Sequence, residues 1–273
     1  MVVPQAHYCD VGDGNVVHYH EAGDGPPVLF LHGSGPGASG WSNFNGNYPE
    51  IAARGFRTLV PDALGFGWSS KPTDATYAVT WLNDAVRRFL DSLGVDRCAI
   101  VGNSMGGAMA IRFALDFPER VSQLVLMAPG GLESRETYMQ MAGIQGMMRT
   151  VFSRQGYTPE NIRALFSLQL YDPSLITEAL VEERLEIARL QPRRVFETLN
   201  VPDMSGEVEG LQMPVFALWG REDQFCPVSG AATLARACPD ARVLTLTRCG
   251  HWVMVERRAL FNRWCGDFLE GAI

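Results

Sequence analysis

The chain has 273 residues, with 23 basic and 30 acidic side chains and a formal net charge of −7. A hydrophobic fraction of 47% and a charged fraction of 19% exclude a disordered chain, a collagen, a coiled coil and a disulfide-rich mini-protein. At about 150 residues per domain, this length predicts one large domain or one domain with an additional piece. The acidic balance and the absence of a basic cluster argue against nucleic acid or an anionic membrane as partner.

Cysteine usage and the terminal segment bear on the compartment. The six cysteines form no CxxC pair, which argues against a zinc knuckle or a thioredoxin-type redox motif. The first residues lack the basic and apolar regions of a signal peptide, and no apolar run reaches the ~18 residues of a membrane span. We therefore expect a soluble cytoplasmic protein with reduced thiols and no membrane partner.

Short apolar runs alternate with helical patterns along most of the chain. Six runs lack the strict alternation of half-exposed strands and predict buried parallel strands at 28–31, 58–60, 99–101, 124–127, 215–219 and 243–246. Helices are predicted near 80–93, 105–117 and 256–269. An alternating stretch around the turn Gly12–Gly14 predicts an antiparallel hairpin at the sheet edge. The pattern predicts an eight-stranded, mostly parallel sheet flanked by helices, an α/β architecture.

The strand pattern stops after the sixth strand and resumes at Pro214. Helical pieces are predicted near 139–151, 159–170 and 173–190. We expect one α/β core, residues 1–131 and 207–273, interrupted by a helical lid of residues 132–206. Four methionines of this lid either fill its core or line an adaptable apolar pocket, and the sequence leaves both readings open: Met139, Met141, Met147 and Met148.

A candidate nucleophile lies between a predicted strand and a predicted helix. Residues 102–106, GNSMG, fit the pattern G-x-S-x-G. A strand-to-helix turn this tight strains the backbone at its centre and lifts the serine hydroxyl clear, and small flanking residues let the chain pass. Ser104 is therefore the expected nucleophile.

A serine nucleophile needs a base and an acid that orients the base. His251 follows the last strand, which suits the chain order serine, acid, histidine, and Asp223 follows the preceding strand, with Glu222 as runner-up. We expect His251 to take a proton and Asp223 to fix its tautomer. The three histidines of the predicted hairpin are expected at the surface: His7, His18 and His20.

Negative charge developing on a carbonyl oxygen needs preorganised N–H donors. The backbone N–H of Met105, next to the nucleophile, is one candidate, and the N–H of Ser34 is the other. We expect His32 to shape the glycine-rich loop at 32–37. This loop matches neither a P-loop nor a dinucleotide-binding fingerprint, so nucleotide binding is disfavoured. These features together predict the α/β-hydrolase fold.

Several longer motifs point to one family within this fold. They are HGSGPGA at 32–38, WSNF at 41–44, GNSMGG at 102–107, YDPSLITE at 171–178 and CGHW at 249–252. Together they resemble the meta-cleavage product hydrolases, from about Val28 to the C-terminus. Generic esterases share the turn around Ser104 but rarely combine Asn103 beside the nucleophile with Trp252 after the histidine.

The resemblance implies hydrolysis of a carbon–carbon bond in a 2-hydroxy-6-oxohexa-2,4-dienoate, the ring-opened product of catechol extradiol cleavage. The products would be 2-hydroxypenta-2,4-dienoate and a carboxylic acid. His251 would help convert the dienol to its keto tautomer. Ser104 would then attack the C6 ketone, with the oxyanion held by the N–H groups of Met105 and Ser34, and water would clear the acyl-enzyme. This chemistry requires no cofactor and no metal ion.

The resemblance also assigns substrate contacts. Arg184 matches the family's lid arginine and would hold the substrate carboxylate and 2-oxygen, because a guanidinium fork suits that pair. From the residues alone, Arg184 would be taken for a surface ion pair and Trp252 for core. Asn43 and Asn103 match polar contacts to the dienoate, and Trp252 and Phe225 are expected beside the same pocket. Ser34 departs from the glycine of many relatives, although only its N–H is needed.

Two other functions remain open at this point. A serine carboxylesterase shares the nucleophile, base and acid, and a slow-turnover ligand sensor of the same fold would keep them as well. Dehalogenases and epoxide hydrolases of this fold use an aspartate nucleophile, which Ser104 argues against. The C6 substituent of the substrate stays undetermined. A homodimer or larger homo-oligomer is compatible with the family.

Overall fold

Eight strands form one sheet in the computed structural model, which describes residues 4–273. The strands are β1 (His7–Asp10), β2 (Val16–Ala22), β3 (Pro27–Leu31), β4 (Arg57–Pro61), β5 (Cys98–Asn103), β6 (Val121–Met127), β7 (Val215–Gly220) and β8 (Ala241–Leu246). Their order is β1-β2-β4-β3-β5-β6-β7-β8. Both pairings of β2 are antiparallel and the others are parallel. The predicted mostly parallel sheet with an antiparallel hairpin at one edge is confirmed. The burial predicted for the strand at 243–246 is wrong, because β8 forms the other edge of the sheet: none of its residues is buried, and Leu244 is 40% exposed.

Helices cover both faces of the sheet. Along the described residues they are α1 (Gly40–Phe44), α2 (Tyr48–Ala52), α3 (Val79–Ser92), α4 (Met105–Asp116), α5 (Arg135–Gln140), α6 (Ala142–Val151), α7 (Pro159–Gln169), α8 (Glu178–Leu190), α9 (Arg194–Thr198), α10 (Ser229–Ala237), α11 (Val253–Glu256) and α12 (Arg258–Leu269). The helix predicted at 256–269 begins only at Arg258, because Arg257 leaves the helical region (φ −120°, ψ 39°) and separates α11 from α12.

The segment between β6 and β7 contains helices and no strand among the described residues. The predicted piece 139–151 is two helices, α5 and α6, because Met141 is extended (φ −70°, ψ 129°) between them. The predicted piece 173–190 is also broken. A 3₁₀ turn at Pro173–Leu175 precedes α8, whose N-terminus is capped by the Thr177 side chain accepting from the Leu180 N–H. The lid boundaries 132–206 stay a prediction.

The first antiparallel strands place two histidines differently from the sequence prediction. His7 is exposed as expected, but His18 and His20 are buried, so their predicted surface position is wrong. The reason is that β1 forms the sheet edge, which leaves β2 enclosed between β1 and β4. His18 Nδ1 lies 2.8 Å from Oδ2 of buried Asp62, and the rings of His20 and Trp41 are 5.3 Å apart.

The loops after β3, β5, β7 and β8 meet at one edge of the sheet, because the carboxyl ends of parallel strands share an edge. Helix α8 lies close over this edge. Gly37, in the loop after β3, has φ +69°, and a Cβ there would collide with the Arg184 carbonyl oxygen. All six cysteines are free and buried. Within residues 4–273, no helix combines the length and the apolar character that crossing a membrane requires.

Candidate active site

Ser104 lies at a sharp turn between β5 and α4. Its backbone has φ +55° and ψ −118°, a sparsely populated region that costs on the order of 1–3 kcal/mol for a non-glycine residue. A Cβ on Gly102 would approach the Gly106 carbonyl, and one on Gly106 would collide with the Leu31 carbonyl. Only glycine on both sides lets β3 and α4 approach this closely, so the strained turn that the sequence predicts for Ser104 is present.

The predicted base and acid are in contact. His251 Nδ1 lies 2.8 Å from Asp223 Oδ2, with both side chains buried. The other carboxylate oxygen, Oδ1, accepts the N–H groups of Phe225 (2.7 Å) and Cys226 (3.0 Å). Asp223 therefore accepts a hydrogen bond from the Nδ1–H group and leaves Nε2 as the free ring nitrogen, which is the tautomer a general base needs.

Two neighbours hold the imidazole plane. The Phe225 ring stacks on the His251 ring with centroids 4.9 Å apart and an angle of 24°. The backbone N–H of His251 donates to the backbone carbonyl of Gln169 at 2.8 Å, which fixes the main chain that carries the ring. The runner-up acid Glu222 instead accepts the Cys249 N–H (3.1 Å), so the geometry favours Asp223.

His32 fixes the peptide that carries the predicted second oxyanion donor. Its Nε2 accepts the Ala63 N–H at 2.9 Å, so the proton resides on Nδ1, which donates to the Gly33 carbonyl at 2.7 Å. Burial lowers the pKa of His32, which keeps the ring neutral. The Gly33 carbonyl and the Ser34 N–H belong to one trans peptide unit and point in opposite directions. Anchoring the carbonyl therefore aims the Ser34 N–H.

Arg184 on α8 is a buried cation that forms no ion pair with any of residues 4–273. It is 2% exposed, and within the same residues its Nε and Nη2 atoms have no hydrogen-bond partner. Burial lowers its pKa to about 10, although nearby Glu183 raises it. The guanidinium carbon lies 4.7 Å from the Trp252 ring centroid and 5.6 Å from that of Phe166. A surface ion pair, the interpretation from residues alone, is wrong here, whereas Arg189 on the same helix is exposed.

Two buried asparagines add unpartnered acceptors near Arg184. Asn43 donates through Nδ2 to the Ser39 carbonyl (3.1 Å), and Asn103 donates to the carbonyls of Met127 (3.1 Å) and His251 (3.4 Å). The Oδ1 atom of each asparagine is buried and has no hydrogen-bond partner in the part of the chain that the structure describes. A site with free guanidinium donors and free amide acceptors is suited to an anion that also carries a hydroxyl group.

These groups line one cavity, which we call the polar cavity. The predicted residues along it are Ser34, Asn43, Asn103, Ser104, Arg184, Phe225, His251 and Trp252. Asp223 lies behind His251. The free volume is about 20 Å³, roughly the room that one water needs, so a larger ligand requires side chains of the cavity wall to move. Trp252, expected as core from its residue type, is buried and lines this cavity as well.

A second cavity of about 390 Å³ opens on the other side of Ser104, and we call it the apolar cavity. Met105, the predicted oxyanion donor, lies in its wall with Met139, Met147 and Met148. Met141 does not, because it forms the N-terminal cap of α6. Sequence reasoning missed Gln169, which lines the polar cavity. A glutamine in a helix carries no signal that its carbonyl will reach a histidine 82 positions away.

Comparisons with known proteins agree with this geometry. The alpha/beta hydrolase fold family matches residues 26–257. A 2-hydroxy-6-oxo-6-phenylhexa-2,4-dienoate hydrolase of Comamonas testosteroni is 36% identical over 264 residues, 93% of this chain and 91% of that protein. A 2-hydroxy-6-oxononadienedioate/2-hydroxy-6-oxononatrienedioate hydrolase of Paraburkholderia phymatum is 38% identical over 279 residues, 96% of this chain and 94% of that protein.

A solved structure gives the same assignment. The meta-cleavage product hydrolase of Pseudomonas fluorescens IP01 aligns with a TM-score of 0.85 and 29% identity over 99% of each chain. This chain belongs to the alpha/beta hydrolase fold family and, within it, to the meta-cleavage product hydrolases.

Proposed function

We propose that the protein hydrolyses the C5–C6 bond of a 2-hydroxy-6-oxohexa-2,4-dienoate in the breakdown of aromatic compounds. The products are 2-hydroxypenta-2,4-dienoate and a carboxylic acid. One observation carries this proposal: the buried and unpartnered Arg184 lies on one side of Ser104 and an apolar cavity lies on the other. A substrate with an anionic end, a central ketone and a less polar end matches this arrangement.

Substrate binding is the first role of the polar cavity. Arg184 takes the carboxylate and the 2-oxygen with Nε and Nη2, since a guanidinium presents its donors as a fixed fork. The free Oδ1 atoms of Asn43 and Asn103 are the acceptors for the single donor at this end, the 2-hydroxyl proton, which they share. Trp252 and Phe225 enclose the planar diene. The named relatives act on 2-hydroxy-6-oxo-6-phenylhexa-2,4-dienoate and on 2-hydroxy-6-oxononadienedioate, which share this end.

Tautomerisation comes next. The 2-hydroxyl proton leaves and a proton is added at C5, so that the dienol becomes a 2,6-diketone with one remaining double bond. His251 lines the polar cavity and serves this transfer through Nε2, because Asp223 occupies Nδ1. The keto form matters because its conjugated carbonyl can accept the electron pair that the C5–C6 bond releases.

Ser104 then attacks the C6 ketone and gives its proton to His251. The N–H groups of Ser34 and Met105 stabilise the oxyanion, and each such donor is typically worth about 10²–10³ in rate. Collapse of the tetrahedral adduct breaks C5–C6, and the pair moves through the conjugated system to the 2-oxygen, which takes the proton from His251 to give the dienol product and leaves His251 neutral again. Water, deprotonated by His251, hydrolyses the acyl-Ser104 ester and releases the carboxylic acid.

A substrate panel tests this function against a carboxylesterase and a slow ligand sensor. Purified protein is mixed with several ring-fission products, which absorb visible light strongly, and with neutral aryl esters. We expect rapid, multiple turnover of at least one dienoate and none with Ser104→Ala. Fast ester turnover without dienoate decay would identify an esterase, and a single slow turnover would identify a sensor.

We also propose a lid, a cellular location and an oligomeric state for the protein. Residues 132–206 act as the lid, supported by Arg184 of α8 reaching the polar cavity. The six buried free thiols support a cytoplasmic location, and the formal net charge of −7 argues against a nucleic-acid or anionic-membrane partner. The exposed edge strand β8, where Leu244 is 40% exposed, supports a homodimer or larger homo-oligomer. Light scattering on the purified protein measures this assembly, and a monomer would contradict it.

A further inference from the structure

The two cavities beside Ser104 differ in charge as well as in polarity. The wall of the apolar cavity near Ser104 consists of aromatic, aliphatic and sulfur side chains, namely Tyr138, Ile144, Met147, Met148, Phe196 and Cys226. No basic side chain is among them, whereas the polar cavity contains the buried guanidinium of Arg184. The two cavities therefore give a substrate only one orientation, with its carboxylate away from the apolar cavity.

Charged groups occur only at the outer part of the apolar cavity. Asp203 and Arg135 are exposed, and Glu133 is partly exposed. Glu133 accepts a hydrogen bond from the Ser229 hydroxyl, and Asp203 accepts the Ser205 N–H at 3.0 Å. Two acids against one base give this rim a formal charge of −1, so it does not favour a second substrate carboxylate.

We propose that the C6 substituent of the substrate is an uncharged aryl group of one ring or more. This inference rests on the proposed function and deepens it. A dry apolar cavity of about 150 Å³ is enough to bind benzene, so about 390 Å³ accommodates a substituted or second ring. A carboxylate inside this cavity would lose its hydration without gaining a cation as partner. A carboxylate long enough to reach the outer part of the cavity would face the negative charges of Glu133 and Asp203. The named relatives include both substrate types at similar identity, so the cavity makes this distinction.

Three substrates that differ only at C6 test the inference. They carry a phenyl, a methyl or a 2-carboxyethyl group, and kcat/KM is measured for each. Burial of a ring predicts a preference for phenyl over methyl of about ten- to a hundredfold, and the carboxyethyl compound should fall at or below methyl. Best turnover of the methyl or carboxyethyl compound would overturn this inference alone. No turnover of any of the three would instead contradict the proposed function.

Variants of the rim and wall sharpen the test. Asp203→Asn should raise the ratio of carboxyethyl to phenyl turnover about two- to fivefold, and added salt should shrink that gain. Asp240→Asn, an exposed carboxylate at the start of β8, is the matched control and should change no ratio. Met148→Trp, at a partly exposed position, should lower phenyl turnover more than methyl turnover. An unchanged ratio in both test variants would refute the assignment of this cavity to the C6 group.

The carboxylate of Glu256, at the end of α11, accepts hydrogen bonds from two separate segments of the chain. Its Oε1 accepts the Gly250 N–H at 2.6 Å, and its Oε2 accepts the N–H groups of Tyr171 (2.8 Å) and Asp172 (3.3 Å). Gly250 immediately precedes His251, and Tyr171 follows α7 of the helical insertion. One carboxylate therefore joins the histidine loop to the insertion, next to the hydrogen bond from the His251 N–H to Gln169.

We infer that Glu256 is a positioning residue for His251. Both carboxylate oxygens are used as acceptors, so no isosteric neutral side chain can replace them. In Glu256→Gln, the single amide oxygen can serve only one of the two segments, and the NH₂ group would face the N–H donors of the other. The histidine loop would then keep its fold but lose its fixed distance from the insertion.

Kinetics separate this role from a structural one. We expect Glu256→Gln to lower kcat for the dienoate about tenfold with KM within about twofold, because Arg184 and the asparagines still bind substrate. Glu256→Asp keeps the charge but is too short to span both segments, so its kcat should be intermediate. Glu207→Gln, a half-exposed partner of Arg112, is the control. A loss of melting temperature with unchanged kcat in both Glu256 variants would refute the inference.

Discussion

Replacing Arg184 by methionine should separate activity from stability. In the substrate-free protein this cation is 2% exposed and its pKa is lowered from 12.5 to about 10. At about 1.4 kcal/mol per pH unit, that shift corresponds to about 3 kcal/mol of unfavourable burial. The cation–π contacts with Trp252 and Phe166 offset about 1–2 kcal/mol of this unfavourable burial. Methionine has a similar length and no charge. We therefore expect the free energy of unfolding of Arg184→Met to be about 1–2 kcal/mol higher than that of the native protein, and its melting temperature to rise.

The same change should remove the anion-binding fork. Truncating one partner of a buried, hydrogen-bonded charge pair costs about 2–5 kcal/mol, so kcat/KM for the dienoate should fall about 10²–10³-fold or more. A neutral aryl ester does not use Arg184 and should lose less than about fivefold. Alanine would add a cavity to the lost charge, which makes methionine the better replacement.

The assay compares three proteins by calorimetry and by steady-state turnover of a dienoate and an ester. Arg189→Met, at an exposed site on the same helix, is the matched control and should keep both activities. Equal losses for dienoate and ester would remove Arg184 from carboxylate binding. A fall in unfolding free energy of more than about 2 kcal/mol would show that the guanidinium stabilises the free protein, contrary to the burial argument.

Three further predictions follow from the same structure. Asp223→Asn should lower kcat about 10⁴-fold at nearly unchanged melting temperature, because the amide favours the wrong His251 tautomer, and a loss below tenfold would contradict that role. Gly37→Ala should lower the unfolding free energy, measured in urea, by more than Gly156→Ala does. Both glycines have positive φ, but only a Cβ at position 37 collides with a carbonyl oxygen, so equal losses in the two variants would refute this reasoning. Burial lowers the pKa of His32, so below about pH 6.5 the unfolded chain binds more protons than the folded protein, and the unfolding free energy should fall as pH drops through that value. His32→Gln should make this dependence of the unfolding free energy on pH shallower, and an unchanged dependence would contradict the prediction.

Local patterns explain why much of the architecture could be predicted. Buried parallel strands are short apolar runs, and each run needs only its own composition to be recognised. The turn around Ser104 is also local, because the glycines at 102 and 106 must lie beside it in sequence. His251 and Asp223 could be placed because each follows a predicted strand, and parallel strands end at one edge of the sheet.

Other features depend on residues far apart in the chain. His18 looked like a surface residue because its buried partner Asp62 is 44 positions away. Arg184 lies among acidic residues of an amphipathic helix, so only the docking of α8 shows that it points inward. Glu256 binds two backbone segments through N–H groups, which no side-chain pattern reveals. Size and charge of the apolar cavity likewise arise only when the insertion packs over the core.

Product analysis with 2-hydroxy-6-oxo-6-phenylhexa-2,4-dienoate is the direct test of serine-dependent cleavage at C5–C6. As the visible absorbance decays, chromatography of the quenched mixture measures the two cleavage products. We expect equimolar 2-hydroxypenta-2,4-dienoate and benzoate, formed over many turnovers by the native enzyme and not by Ser104→Ala. Decay without benzoate, or benzoate formed equally well by Ser104→Ala, would contradict serine-dependent cleavage of the C5–C6 bond.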